Sequence, residues 1–276
     1  MQLIFTKMHA LGNDFVIIES DEPPRSELIS SLSNRRTGVG FDQLIWLSPA
    51  LDPNTNIFYR IFNSDGSEAE QCGNGVRCIV RFIADQNPDI QQFHLGFSGG
   101  VVEGSIESNG DVAVSLGEPN FDTLSLPFDP QASNGNSGNQ WKLDVADSLI
   151  DVELVSIGNP HAVMEVESIQ TAPVKELGPL LESHSAFPNR ANIGFMQIQN
   201  QSLVSLRVFE RGAGETWACG TAACAAVAVG RRASKLSEEV EVQLPGGSLV
   251  VRWFGPGNSI WLVGEASTVY RGTVTI

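Results

Sequence analysis

Short apolar runs cut by Gly, Asn and Pro dominate the chain and predict β-strands along both of its halves. In the first half the predicted strands span 2–5, 15–19, 43–47, 56–63, 92–96, 100–107 and 112–116. In the second half they span 154–157, 162–166, 193–198, 203–210, 240–243, 248–253 and 259–263. Four segments carry helical patterns instead, at 27–34, 73–86, 174–183 and 220–234. A polar Gly/Asn/Ser segment at 131–140 is predicted to be a solvated loop.

The two halves repeat one pattern. A shift of 147 residues places Arg60, Asn63, Glu68 and the pair Cys72-Gly73 on Arg207, Glu210, Glu215 and Cys219-Gly220. A shift of 146 places Gly12-Asn13 on Gly158-Asn159. We therefore predict an α+β fold of two duplicated domains, one over 1–118 and the other over 119–265.

Composition excludes several classes of function. The 276 residues include 17 Lys+Arg and 32 Asp+Glu, which gives a net charge of -15, and 42% are hydrophobic. Such an acidic chain repels phosphate groups, so we expect no nucleic-acid partner and no membrane surface. No apolar run is long enough for a membrane span and no targeting segment is evident, so we expect a soluble, cytoplasmic protein.

Cysteine usage indicates free thiols rather than disulfides or a metal site. The four cysteines are too few for a disulfide scaffold, and their spacings of six and five residues do not match the C-x2-C pattern of zinc sites. Cys72 and Cys219 each precede a predicted helix, whose N-terminus binds anions and lowers the pKa of a nearby thiol. Two such thiols could remove a proton from one face of a carbon and deliver one to the other, which inverts a stereocentre. Cys78 and Cys224 fall on the apolar faces of these helices and are expected to be structural.

Polar residues near the two cysteines suit an amino-acid substrate. Asn63, Glu210 and Arg211 end equivalent strands that lead to the helix starts, and could recognise ammonium and carboxylate groups. His161 lies in an apolar setting, where a histidine is usually structural. Arg77 is expected to be a surface or helix-support charge.

Five strings, in order along nearly the whole chain, resemble the motifs of the diaminopimelate epimerase family. They are KMHALGNDF (7–15), FNSDGSEAEQCGNGVRC (62–78), GNPHAV (158–163), ANIGF (191–195) and ERGAGETWACGTAA (210–223). The resemblance implies interconversion of LL- and meso-2,6-diaminopimelate in bacterial lysine and peptidoglycan biosynthesis, without pyridoxal phosphate or metal. It also implies two pseudo-symmetric domains, each with strands wrapped around a central helix, and an active site in the cleft between them. The last strand, at 266–276, is expected to return to the first domain.

The same resemblance assigns roles to individual residues. Cys72 and Cys219 correspond to the acid–base thiol pair, while His161 and Glu210 correspond to residues that tune the thiol pKa values. Tyr270 corresponds to a tyrosine of the family's dimer interface, so a homodimer is expected. The substrate contacts that it implies are Asn13, Gln43, Asn63, Gly73, Asn74, Asn159, Asn192, Glu210, Arg211, Gly220 and Thr221.

The lysines agree with chemistry that needs no cofactor. Pyridoxal phosphate requires a Schiff-base lysine, and among the chain's four lysines only Lys7 lies within a motif, where no Gly-rich phosphate loop accompanies it.

Three alternatives remain at this point. Proline racemases and hydroxyproline epimerases share the two-thiol plan, but their first motif resembles Cys-Gly-His, whereas this chain has Cys72-Gly73-Asn74. A thiol redox sensor would instead join Cys72 and Cys219 in a disulfide. A binding protein on the same scaffold would have lost catalysis, against which the retention of both cysteines, Glu210 and His161 argues.

Overall fold

The structure is a computed structural model that describes residues 2–69, 71–146 and 148–276. The chain divides into two compact units, Met1–Ser115 with Val263–Ile276 and Leu116–Leu262. The C-terminal segment thus rejoins the unit that contains the start of the chain.

The elements of the first half follow the predicted order closely. They are β1 (Gln2–Ala10), β2 (Asn13–Glu19), α1 (Ser26–Ser33), β3 (Gln43–Pro49), β4 (Ile57–Asn63), α2 (Gly73–Gln86), β5 (Gln92–Phe97), β6 (Gly100–Ile106) and β7 (Val112–Ser115). The strand predicted at 2–5 continues to Ala10 as β1. Lys7 interrupts the apolar pattern of this strand, yet it is buried because an ion pair with Asp14 satisfies its charge.

The second half begins with a difference from the prediction. A 3₁₀ turn at Pro130–Ala132 and the short strand β8 (Asn136–Ser137) lie in the segment predicted as loop. The strand β9 (Gln140–Val145), which pairs with β8, begins at the last residue of that segment and was not predicted. The remaining elements are β10 (Ser148–Ser156), β11 (Pro160–Glu165), α3 (Val174–Glu182), β12 (Asn192–Asn200), β13 (Leu203–Glu210), β14 (Gly214–Thr216), α4 (Gly220–Arg232), β15 (Glu239–Leu244), β16 (Gly247–Arg252), β17 (Trp261–Gly264) and β18 (Ser267–Thr275).

Strand pairing is duplicated in the two units. In the first unit, successive pairs from β1 to β6 are antiparallel, parallel, antiparallel, parallel and antiparallel. In the second unit, β10, β11, β12, β13, β15 and β16 follow the same sequence of pairings. The returning strand β18 pairs antiparallel with β1 of the first unit.

Each unit encloses one long helix among its strands. The helix α2 packs against β1, β2, β6, β7 and β18, and α4 packs against β10, β11, β12, β13 and β16. A Cβ on Gly104 of β6 would lie 2.5 Å from Val80 Cγ2, so this glycine permits the close approach of α2. The predicted α+β fold, with strands around a central helix in each of two duplicated domains, is confirmed. In the described residues no helix has the length and apolar composition of a membrane span.

Two local features show how closely the duplication is kept. The repeated Arg and Glu positions form the same ion pair in both units, with Arg60 2.7 Å from Glu68 and Arg207 2.7 Å from Glu215. The hairpin between β1 and β2 turns at Gly12 with a φ of +83°, and its counterpart turns at Gly158 with a φ of +80°. Only glycine adopts a positive φ readily, and in each turn the residue after the glycine is an asparagine.

Candidate active site

Cys72 and Cys219 hold the same place at the starts of the two central helices. Each is the N-cap residue in an extended conformation, with a φ of -139° at Cys72 and -124° at Cys219, and each is followed by a glycine that begins the helix. Cys219 is 6% exposed, whereas Cys72 is partly exposed. Cys78 and Cys224 are fully buried within the helices, as predicted for structural cysteines.

In the first unit an asparagine connects Cys72 to the hairpin between β1 and β2. The Asn13 Oδ1 atom accepts a hydrogen bond from the Cys72 thiol at 3.8 Å and another from Asn74 Nδ2 at 3.3 Å. Two further predicted contacts meet at the facing ends of β3 and β4, where Gln43 Nε2 donates to Asn63 Oδ1 at 3.0 Å. The structure therefore brings the predicted polar residues of this half together in two neighbouring groups.

In the second unit the equivalent asparagine connects to Cys219 through a threonine. Asn159 Nδ2 donates to Thr221 Oγ1 at 3.4 Å, and Thr221 Oγ1 lies 3.5 Å from Cys219 Sγ. The ring of His161 binds the other end of the amide, with Nε2 2.9 Å from Asn159 Oδ1. These four predicted residues form one continuous hydrogen-bonded group.

The remaining predicted contacts of the second unit lie at the end of β13. Asn192 Oδ1 accepts from the backbone N–H of Arg211 at 3.0 Å. Glu210 accepts a short hydrogen bond from the hydroxyl of Thr216, a residue that the sequence did not single out. Gly73 and Gly220 supply the first residue of each central helix.

The ionisation of Cys219 differs from the expectation that a helix start lowers the pKa of a thiol. Burial raises the pKa of Cys219 well above its ordinary value, and the negative charge of Glu210 acts in the same direction. The Thr221 hydroxyl and the Ala222 backbone N–H favour the thiolate, but they are outweighed. Cys219 is therefore held protonated, which suits a proton donor, and the general expectation was wrong for this thiol.

His161 is uncharged in the folded protein. Burial lowers the pKa of His161 to about 3, and the positive charge of Arg211 adds to the effect. Its Nδ1 atom is buried without a hydrogen-bond partner in the described structure, which fits an imidazole whose proton is on Nε2 and is donated to Asn159. His161 therefore orients the Asn159 amide.

Two residues of the first unit were missed or misassigned by sequence reasoning. Arg77 is fully buried rather than on the surface, and it donates to Asn74 Oδ1 at 3.1 Å. Asp42 accepts from Asn13 Nδ2 at 3.1 Å, although only its place beside Gln43 gave any signal in the sequence.

Tyr270 lies apart from these hydrogen-bonded groups. It is exposed on β18, where it pairs with Lys7 of β1 and its ring meets the edge of Phe5 at a centroid distance of 5.8 Å. Within the described residues, no cluster of three or more His, Cys, Asp or Glu side chains is arranged to hold a metal ion.

Solved structures with similar folds are distant in sequence. A PhzF-family phenazine biosynthesis protein from Bacillus anthracis superposes with a TM-score of 0.70 at 16% identity, over 100% of both chains. A hydroxyproline epimerase from Agrobacterium vitis, with bound trans-4-hydroxy-L-proline, gives a TM-score of 0.71 at 14% identity, over 99% of this chain and 92% of that one. These likenesses establish the shared two-domain fold.

Sequence comparison is more specific. The family model described as diaminopimelate epimerase matches residues 5–122 and 153–269. A diaminopimelate epimerase from Psychrobacter sp. (strain PRwf-1) is 46% identical over 278 aligned positions, which cover 99% of this chain and 94% of the relative. With both halves matched and the two cysteine motifs in place at the helix starts, the chain belongs to the diaminopimelate epimerase family.

Proposed function

We propose that this protein is an isomerase that interconverts LL- and meso-2,6-diaminopimelate by proton transfer at one α-carbon, in lysine and peptidoglycan biosynthesis. The observation that carries the proposal is the equivalence of Cys72 and Cys219, each at the start of the central helix in one of two copies of a fold unit. Family membership gives the substrate class.

The reaction requires the two thiols to act on opposite faces of one carbon. A thiolate takes the α-proton and leaves its electron pair on the α-carbon, and the thiol of the other cysteine then gives its proton to that carbon from the other side. Because Cys219 is held protonated by burial and by Glu210, we assign it the donor role for the first turnover, with Cys72 as the base. The roles exchange in the reverse reaction.

Backbone and side-chain donors near each thiol support binding of an amino acid. The backbone N–H groups at the starts of α2 and α4, which begin at Gly73 and Gly220, suit the substrate's reacting carboxylate. The other substrate contacts that we propose are Asn13, Gln43, Asn63, Asn74, Asn159, Asn192, Glu210, Arg211 and Thr221.

The state of Lys7 supports a mechanism without a Schiff base. Its ammonium group is 2.6 Å from Asp14 and also binds the carbonyl oxygen of Gly40. An amine engaged in this way does not offer a free nucleophile for pyridoxal phosphate.

We further propose that the protein works in the cytoplasm as a homodimer. All four cysteines are free thiols, which a reducing compartment preserves. Exposed apolar side chains on β1 and β18, at Ile4, Val269 and Tyr270, support association through these strands. Analytical ultracentrifugation of the wild type and Tyr270→Ala tests this, since the variant should shift toward a monomer.

Proton NMR in D2O tests the catalytic proposal directly. The fully reduced protein is mixed with LL-diaminopimelate, with no cofactor added, and we expect the α-proton signal to fade as the meso isomer appears. Proline and hydroxyproline are run in parallel, together with Cys78→Ala as a control for a buried thiol. No exchange with diaminopimelate would refute the proposal, and exchange with proline alone would assign the chain to the related racemases. Activity that rises on forming a Cys72–Cys219 disulfide would indicate a redox sensor.

A further inference from the structure

A chain of hydrogen bonds crosses the first half of the site from a buried cation to an anion. The Arg77 guanidinium donates to Asn74 Oδ1 at 3.1 Å, and Asn74 Nδ2 donates to Asn13 Oδ1 at 3.3 Å. Asn13 Nδ2 then donates to Asp42 Oδ2 at 3.1 Å. All of these residues lie within the first unit.

The two ends of the chain determine the direction of both amides between them. A guanidinium can only donate hydrogen bonds, and an ionised carboxylate can only accept them. Turning either amide around would place donor against donor or acceptor against acceptor. Asn13 must therefore present its carbonyl oxygen, and not its NH2 group, to the Cys72 sulfur at 3.8 Å.

Both end residues are themselves held in place. Arg77 is fully buried in α2 and also donates to the carbonyl oxygen of Glu265 at 3.4 Å. Asp42 pairs with Arg35 at 2.7 Å and accepts the backbone N–H of Asp14 at 3.2 Å. Arg77 is thus fixed in the core, and Asp42 is fixed at the surface by two further partners.

We infer that Asp42 and Arg77 are positioning residues that fix the direction of the Asn13 and Asn74 amides and so present a hydrogen-bond acceptor to the Cys72 thiol. Neither residue touches the sulfur in the contacts described above, and each acts through an asparagine. The catalytic consequence rests on the proposed function, because it requires Cys72 to transfer protons.

Two substitutions at Asp42 separate positioning from charge. Asp42→Ala and Asp42→Asn both remove the carboxylate charge, but the asparagine oxygen can still accept from Asn13 Nδ2. The Asp42 side chain is 46% exposed, so neither change opens a cavity in the core. We expect Asp42→Ala to lower kcat/KM for α-proton exchange about fivefold, and Asp42→Asn to stay within about twofold of the wild type.

The reactivity of Cys72 gives a second measurement that does not require turnover. Iodoacetamide labelling without substrate, followed by mass spectrometry of the Cys72 peptide, reports how readily the thiolate forms. Without the Asp42 acceptor, only the Asn74 NH2 group opposes a turned Asn13 amide. The Asn13 NH2 group then faces the sulfur for part of the time and stabilises the thiolate. We expect labelling of Cys72 to become about threefold faster in Asp42→Ala and to be restored in Asp42→Asn.

The same labelling in an Asn13→Ala background tests whether Asp42 acts through Asn13. If it does, adding Asp42→Ala to Asn13→Ala changes the labelling rate no further. The inference is overturned if Asp42→Ala matches the wild type, if Asp42→Ala and Asp42→Asn behave alike, or if the effect persists without the Asn13 amide. Failure of the proposed function would look different, because wild-type protein would then exchange no substrate proton while the labelling results still held.

Discussion

The two units use the same backbone arrangement beside their N-cap cysteines but point the neighbouring asparagine amides in opposite directions. In the first half, Asp42 binds the NH2 group of Asn13, so the carbonyl oxygen of that amide faces Cys72. In the second half, His161 binds the carbonyl oxygen of Asn159, so its NH2 group faces Thr221, next to Cys219. The helix start and the hairpin asparagine are thus the same in both units. The partner of each asparagine, Asp42 or His161, determines whether the carbonyl oxygen or the NH2 group of the amide points toward the cysteine side.

Buried charge also differs at equivalent positions of the two halves. Lys7 on β1 is paired with Asp14, whereas Glu153, at the corresponding place on β10, has a buried Oε2 atom without a hydrogen-bond partner in the described structure. Burial raises the pKa of Glu153, and it does so against the nearby positive charges of Arg232 and Lys235. The first half therefore holds a satisfied ion pair where the second half holds a carboxyl group that is costly to ionise.

The largest expected effect comes from removing either thiol. Cys72→Ala and Cys219→Ala should each lower the rate of epimerisation by about 10³-fold or more, because each reaction direction needs one base and one acid. The measurement is the rate at which each isomer, supplied alone, gives rise to the other isomer. Cys78→Ala is the matched control, since this thiol is fully buried in α2 and should leave turnover unchanged. A single variant that epimerises at nearly the wild-type rate would refute the pairing of the thiols.

The contrast in buried charge predicts unequal changes in stability. Asp14→Asn leaves the Lys7 ammonium, whose side chain is only 9% exposed, without its counter-charge and should lower the free energy of unfolding by about 3 kcal/mol. Glu153→Gln removes a charge that lacks a hydrogen-bond partner at one oxygen and should change stability by less than about 1 kcal/mol. Urea unfolding at neutral pH measures both variants. Equal losses in the two would contradict the comparison.

The Asp14 carboxylate also gives a pH dependence. Burial acts to raise the pKa of Asp14, but hydrogen bonds and charges from Arg35 and Lys7 outweigh it and hold the pKa well below its usual range. Asp14 therefore stabilises the fold above the ordinary carboxyl pKa near 4, and this contribution declines as the pH falls further. Asp14→Asn should show a correspondingly smaller loss of stability at acid pH.

The buried imidazole predicts a second pH effect in the other half. The pKa of His161 is about 3 in the folded protein, whereas the ordinary value for a histidine is 6.5. As the pH falls, the imidazole is therefore protonated in the unfolded chain before it is protonated in the folded protein. Stability should therefore fall as the pH decreases from 6.5, by about 2 kcal/mol at pH 5. His161→Phe places the residue found at the equivalent position, Phe15, and should flatten this dependence in thermal unfolding. An unchanged slope would show that His161 is not the titrating group.

A smaller effect is expected from the carboxylate beside Cys219. Glu210→Gln removes a negative charge that raises the pKa of Cys219, so the thiolate should form at lower pH than in the wild type. Mass spectrometry of Cys219 alkylation over a pH series measures the shift. Asn63 stands at the equivalent position of the first half and is neutral, so Asn63→Ala serves as the control and should leave the labelling of Cys219 unchanged. No shift in Glu210→Gln would mean that burial alone raises the pKa of Cys219.

Much of the fold could be predicted from local pattern and internal repetition. The helix predicted at 73–86 is observed as Gly73–Gln86, because a thiol and a glycine mark its start and an apolar face runs along it. The helix predicted at 220–234 ends earlier, at Arg232, where the chain turns and Ser234 takes a left-handed φ of +59°. The strand β8 was predicted as loop because it has only two residues, both polar and exposed, and is defined by its pairing with the start of β9.

The sequence by itself determined the duplication, the fold class, the family and the two cysteines at equivalent helix starts, because these follow from spacing and motif. Only the tertiary structure decided which way each asparagine amide points and which charges are buried, since these depend on partners far away along the chain. Asp42 lies 29 residues from Asn13, and the carbonyl of Glu265 lies 188 residues from Arg77. The effect of burial on Cys219 likewise opposed the local influence of its helix start, because the surrounding core, which no local pattern describes, sets the cost of a charge there.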